Sequence, residues 1–382
     1  MSSAGRGGPL AGIRVIEFAG LGPTPFAGMM LADYGAEVLR IERAGAPPYL
    51  GSAAVQYLNR SRASIVLDLK DADGHEFANR LLGSADVLLE GYRPGVMERL
   101  GLGPETVCAA HPRLVYARMS GWGQNGPLAR AAGHDINYLA LSGALHAMGP
   151  GDAPPVPPLN LVGDFGGGGM LVVGGILAAL VERAGSGRGQ LVDAAMLDGA
   201  ALLFTQIAGW QAGGLWTERR GDNLLDGGAY FYRCYDTADG KFMAVGALEE
   251  NFHDAFLAGL GFNPCDFPDR LDRRHWDARA DRIAARFRAR SRAEWTDHFD
   301  RLDACVSPVL TLAEAAAHPA NVERKVFAGL EPEPAPRFSR TPARRGAAPA
   351  AAGSGGLEAL RDWAGDDRYW QTLIARGILH AD

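Results

Sequence analysis

Cysteine is scarce: the chain of 382 residues carries four, Cys108, Cys234, Cys265 and Cys305, all far apart. No C-x-x-C pair occurs, so a zinc knuckle or a dithiol redox centre has no sequence support, and a reducing cytoplasm fits best. Long apolar runs are also missing. The uncharged stretch at residues 165–181 spans 17 positions and includes six glycines, short of the roughly 20 that a membrane span needs. Residues 1–12 lack the apolar segment of a secretory leader, and the final His380, Ala381 and Asp382 match no peroxisomal address. Positive charge is in deficit, with 38 Lys and Arg against 44 Asp and Glu, a net charge of −6. A general nucleic-acid or anionic-membrane binder carries the opposite sign, although a local basic patch can still grip a phosphorylated small molecule. The expectation is a soluble cytoplasmic protein with neither nucleic acid nor membrane as partner.

Glycine is what the chain has in excess, 51 residues alongside 23 prolines, which implies tight connections and places where a ligand approaches the main chain. Hydrophobic residues at 47% and charged residues at 21% describe a globular chain and exclude a disordered one. At roughly 150 residues per domain the length allows two or three domains.

Residues 12–43 read as strand, helix and strand. Ile13, Val15, Ile16 and Phe18 form a β-branched apolar run, residues 20–25 a turn-rich loop, Phe26 to Tyr34 a helical pattern, and Glu37 to Ile41 a second strand. The alternation continues through 64–69, 74–82, 86–90 and 114–119, which predicts an α/β fold with a doubly wound, mostly parallel sheet. Residues 165–182 and 190–215, rich in Ala, Leu and Gly, predict closely packed helices. A hairpin over 230–235 and 241–245, turning at 236–240, opens a smaller α/β region that ends near Ala317. Residues 331–356 predict irregular structure. The domains expected are a large one over 1–195, linker helices over 196–229, a small domain over 230–317, and a return to the large domain over 318–382.

Five constellations are candidates for chemistry. The loop from Gly20 to Pro25 lacks the third glycine of a dinucleotide fingerprint, and its two prolines remove amide donors, so a tight βα turn is preferred to a nucleotide site. His134, in G-H-D-I-N-Y, is either a general base or an ordinary satisfied histidine. Asp164 precedes Gly166 to Gly169 and an apolar helical pattern. It reads as an N-cap, as a group that moves a proton or attacks a carbonyl beside free amides, or as both; the glycines also suit close helix packing. Glu249 follows a strand and is either a solvated carboxylate or a catalytic one. Arg43, Lys70 and Arg93 end successive predicted strands, where they are surface charges or a phosphate-binding rim.

A series of segments spread from about Pro9 to Phe338 is more specific than any of these alone. They are G-I-R-V-I-E-F-A-G-L-G-P at 12–23, L-A-D-Y-G-A-E-V at 31–38, L-D-L-K at 67–70, E-G-Y-R-P-G-V at 90–96, Y-A-R-M-S-G-W-G-Q at 116–124, G-H-D-I-N-Y at 133–138, P-L-N-L-V-G-D-F at 158–165, L-D-G-G-A at 225–229 and D-A-C-V-S-P-V-L at 303–310. In order and spacing the chain resembles the class III CoA-transferase superfamily and, within it, the α-methylacyl-CoA racemases. The resemblance implies a Rossmann-like large domain, a small α/β domain and a homodimer of two interlocked rings whose active site is shared between chains. It implies catalysis by His134 and Asp164 with Glu249 supporting the histidine. CoA contacts would fall on Arg43, Leu67, Asp68, Leu69, Lys70, Arg93, Gly133, Asp135, Ile136, Asn137 and Tyr138. Amides near Gly166 and Gly167 would hold an enolate, and no metal or redox cofactor is needed. The transferases of the superfamily use the aspartate as a nucleophile and generally lack the histidine, so His134 favours epimerisation of 2-methyl-branched acyl-CoA thioesters. A transferase or a non-catalytic CoA-thioester binder are the alternatives. The chain departs from the pattern twice: P-Q-F-Y after Glu249 becomes Glu250, Asn251, Phe252 and His253, and the proline of G-G-A-P becomes Tyr230.

Overall fold

The computed structural model describes residues 7–45, 53–349, 351–365 and 368–382; the first six residues of the stretch read for a leader lie outside them. Two compact units divide the chain, one made of Met1–Ser142, Leu159–Leu203 and Glu331–Asp382, the other of Gly143–Pro158 and Phe204–Leu330.

The first unit alternates strand and helix: β1 (Arg14–Phe18), α1 (Pro23–Asp33), β2 (Glu37–Glu42), β3 (Ala63–Leu67), α2 (Ala72–Gly83), β4 (Val87–Glu90), α3 (Val96–Arg99), α4 (Pro104–Ala110), β5 (Val115–Ser120) and α5 (Asp135–Leu141). A π-helix, Leu161–Met170, runs directly into α6 (Leu171–Ser186), followed by β6 (Leu191–Ala195) and α7 (Met196–Leu203). The sheet order is β3-β2-β1-β4-β5-β6, with a last short strand, Leu379–His380, outside β3. Strands β1 to β6 are parallel and the last strand is antiparallel. Because side chains alternate along a strand, neighbours enter opposite cores. Val15 joins Val38, Leu31, Val172 and Ile176 on the face covered by α1 and α6. Ile16 joins Leu39, Phe77 and Leu81, with Leu360 and Leu373 from the C-terminal helices, on the other. Each such buried aliphatic side chain stabilises the fold by about 1.5–3 kcal/mol.

Local chemistry sets the helix ends. Proline at the first position starts α1, where its missing N–H costs nothing, and the Asp71 carboxylate caps α2 by accepting from the Asp73 and Gly74 amides. At the far end of α6, Arg183 pairs with Asp86 at 2.8 Å and donates to the Arg113 carbonyl at 3.1 Å. Both partners lie just before strands, on the amino-terminal rim of the sheet.

The second unit contains α8 (Thr205–Ala212), β7 (Tyr232–Asp236), β8 (Phe242–Gly246), α9 (Glu250–Gly259), α10 (Trp276–Phe287), α11 (Arg292–Phe299) and β9 (Val306–Pro308). Its antiparallel sheet has the order β7-β8-β9 and packs on an aromatic core that includes Phe231, Tyr235, Phe256, Phe287 and Trp295.

Several expectations change. Residues 190–215 are not all helical, since Leu191–Ala195 is a sheet strand; one exposed edge of the sheet accepts a short segment whose composition looks helical. The apolar helix is longer than its uncharged run, because Leu161–Ser186 covers 26 residues and is long and apolar enough to cross a membrane by length and composition. The small unit takes in 143–158 and runs on to Leu330, and α7 belongs to the large unit, so the units divide at other places than composition marks. Among its described residues, 331–356 holds a two-residue strand, Glu331–Pro332, and the first turn of a helix at Gly356; the remainder is irregular.

Candidate active site

In the sheet order β1 stands between β2 and β4, so the connections from β1 lead to one side and those from β4 to the other. Such a reversal opens a crevice beyond the carboxyl ends of the strands, the usual place for a ligand in an open parallel sheet. The loops at this rim carry most of the residues singled out in the sequence.

Asp164 approaches the loop after β1. Gly22 there has φ 65°, and a methyl group built on it would stand 3.0 Å from Asp164 Oδ2. A side chain at Gly22 would therefore be both strained and in contact with the carboxylate. Asp164 is not the cap of its helix; it is the fourth residue, and the capping acceptor comes from another element. Asp135, buried on the first turn of α5, accepts the Asp164 amide on Oδ2 at 2.7 Å. Gly163 has to be glycine for this, since a Cβ would stand 2.5 Å from the Asp135 carboxylate. Asp135 follows His134 in the chain, so one carboxylate ties the histidine-bearing segment to the turn that carries Asp164. His134 itself is exposed, just before α5, with its N–H donating to Asn137 Oδ1 at 3.1 Å.

Burial pushes the Asp164 pKa up, the Asn160 amide group, 3.4 Å from Oδ2, pulls it down, the Asp135 charge raises it and His134 lowers it. Burial likewise raises Asp135, against the lowering pull of the Asp164 and Gly163 amides. A carboxyl raised in this way is a better proton carrier near neutral pH than an exposed one. Exposed apolar side chains stand close by in sequence: Leu21 beside Gly22, Ile136 beside Asp135, and Leu161 at the start of the π-helix.

The proposed CoA contacts divide. Arg43 after β2, Asp68 and Lys70 after β3, and Arg93 after β4 are exposed on the carboxyl rim. Arg93 is near enough to Tyr138 to act on it electrostatically. Leu69 is half-buried, Ile136 and Asn137 are exposed, and Gly133 lies under the Trp122 and Tyr138 rings, which meet edge to face at 4.7 Å. Three positions have other work for their side chains. Leu67 is 2% exposed in the core, Asp135 caps the π-helix, and the Tyr138 hydroxyl donates to the Gly133 carbonyl at 2.5 Å. Gly166 and Gly167 do not offer free amides as expected. They lie inside the π-helix, whose i→i+5 pattern engages its interior amides. Their smallness serves packing instead: a Cβ on Gly167 would stand 2.7 Å from the Ala200 nitrogen, and one on Gly168 would stand 2.9 Å from Met196 and Pro23.

Glu249 belongs to the second unit, where it is the N-cap residue of α9 and its carbonyl accepts the His253 amide at 2.9 Å. Glu250 is the exposed first residue of that helix, where a negative charge suits the helix dipole. Sequence reasoning missed Gly22, Asn160 and the capping role of Asp135. Only Asn160 leaves a local signal, being four residues before Asp164 on one helix turn. Among the described residues no three of His, Cys, Asp and Glu gather to hold a metal ion.

Comparison with known proteins identifies the family. The family model described as CoA-transferase family III matches residues 10–354. Alpha-methylacyl-CoA racemase of Mus musculus is 49% identical over 339 residues, covering 87% of each chain, and that of Homo sapiens is 46% identical over the same length and coverage. A crystal structure of a CaiB/BaiF family protein from Brucella suis superposes with a TM-score of 0.80 at 24% identity, covering 94% of this chain and 100% of that one, a likeness of fold. With the match spanning nearly the whole chain, the protein belongs to CoA-transferase family III.

Proposed function

We propose that the protein is an isomerase that interconverts the R and S forms of 2-methyl-branched acyl-CoA thioesters. The observation that carries this is the Asp135 link, which brings His134 and Asp164 to one rim of the sheet as two separate proton carriers. One group removes the α-proton, the thioester oxygen takes the charge as an enolate, and the other group delivers a proton to the opposite face. No electron is transferred, so no redox cofactor enters the balance. Arg43, Lys70 and Arg93 supply cationic groups for the CoA phosphates, and Leu21, Ile136 and Leu161 an apolar surface for the acyl chain. Glu249 supports the histidine, in a homodimer that shares its active sites between chains. The racemases of mouse and human among its relatives support the same reading.

The family description includes transferases, so the test must separate the two chemistries. A chiral 2-methylacyl-CoA incubated in deuterated water should lose optical purity and gain α-deuterium with no acceptor acid present. Turnover that appears only when a free carboxylic acid is added, with a hydroxamate recovered at Asp164 after hydroxylamine trapping, would establish the covalent transferase instead.

A further inference from the structure

The two departures from the family pattern meet in space. Tyr230, fully buried, and His253, 3% exposed, are joined by a hydrogen bond of 2.6 Å between Oη and Nε2. In the pattern a proline stands at the first position and a phenol at the second; here the phenol has moved to the loop and an imidazole faces it from the helix. The surroundings fix the direction of the bond. His253 Nδ1 faces the Asp254 carboxylate at 3.5 Å, which gives Nδ1 the proton and leaves Nε2 to accept from the tyrosine hydroxyl. Arg279 in turn lies 5.5 Å over the tyrosine ring. Burial, with the nearby Arg270 and Arg279, holds the imidazole below its ordinary pKa, against the pull of Asp254.

This chain of bonds ends on the turn that carries Glu249. The His253 amide donates to the Glu249 carbonyl, and Arg270 donates to the carbonyl of Leu248, one residue earlier. Arg270 also lies 5.8 Å over the Phe231 ring, beside Tyr230 in the core. The residue before the turn and the first turn of α9 are thus both tied to the same buried cluster.

We infer that Tyr230 and His253 are a matched pair of positioning residues whose hydrogen bond seats Glu249 for its part in the reaction. The inference rests on the reading of Glu249 as the support of His134. In this chain the phenol donates and the imidazole accepts, so the two buried polar groups introduced by the departures satisfy each other.

The test is a double-mutant cycle on the full-length protein, with α-deuterium exchange from a single enantiomer of 2-methylacyl-CoA as the readout. Tyr230→Phe keeps the ring and removes only the hydroxyl, so it should fold. It should lower kcat by about tenfold while KM stays within about twofold. His253→Gln, which offers an acceptor close to the Nε2 position, should lose less than His253→Leu. In a Glu249→Gln background, Tyr230→Phe should cause almost no further loss, because both changes act through one group. Losses that multiply in that background, or a Tyr230→Phe variant at the parent kcat, would overturn the positioning role and leave Glu249 standing. A Glu249→Gln variant with parent kcat would overturn the assignment of Glu249 and the role of the pair with it.

Discussion

At Asp164 the same burial that tunes the carboxyl also taxes the fold. Its pKa is raised in the folded protein, so the protonated form is favoured there. The stability this contributes is complete below the unfolded-state pKa and is lost as pH rises through the raised value. At pH 8 the folded protein holds an ionised carboxylate at a cost, and Asp164→Asn removes that cost. The variant should melt about 2 °C above the parent at pH 8, an advantage that fades in acid, and should lose racemisation by about 10²- to 10⁴-fold. Paired melting curves at the two pH values and a polarimetric assay check both statements. Asn160→Ala removes the amide group that faces the same carboxylate, which moves the pKa further up. The acid limb of kcat/KM in the direction that uses Asp164 as base should shift to higher pH, and a parent-like profile would count against that direction. The two bases should also separate by hand of substrate. His134→Ala should abolish α-proton exchange from one enantiomer of the thioester and leave slow exchange from the other; Asp164→Asn should give the mirror result. Exchange of both hands at the parent rate in either variant would end the two-base scheme.

Helix ends, not helix bodies, organise the site. Asp135 opens α5 and closes the first turn of the π-helix, so Asp135→Ala should cost about 1 kcal/mol of stability and slow exchange from both enantiomers together. Asp135→Asn keeps a carbonyl oxygen for the Asp164 amide and should recover most of the loss; a thermal melt beside the exchange assay decides it. This element also marks where legibility stops. Strands β1 to β5 are readable because a parallel strand buried on both faces must be a dense apolar run, as Val15, Ile16 and Phe18 are. The strand Leu191–Ala195 is not, because a sheet edge demands little of its side chains. His134 and Asp164 stand out in their motifs, but nothing local in the sequence announces that Asp135 caps a segment far along the chain. Gly22 is similar: its need to be glycine comes from a carboxylate that only the fold delivers. The four successive glycines illustrate the reverse error, since an amide is free at a helix end and engaged one turn later.

For the whole molecule, the exposed apolar side chains of the large unit support the proposed homodimer. Val181 is 76% exposed on α6 and Leu203 57% on α7, more apolar surface than these helices should show to water. Sedimentation at micromolar concentration should find a dimer, and Val181→Glu with Leu203→Glu should give a monomer with little activity; a fully active monomer would refute the shared site. The long helical run has a mechanical meaning as well. Its first turn is held at the carboxyl rim by Asp135, and its last turn at the amino rim by Arg183 with Asp86 and the Arg113 carbonyl. The sheet therefore acts as a ruler laid alongside a strut, and the height of the Asp164 carboxylate above the crevice is a difference of two lengths, one measured in strand and one in helix. A residue added or removed anywhere along the strut is read out at its tip, however far from the substrate the change is made.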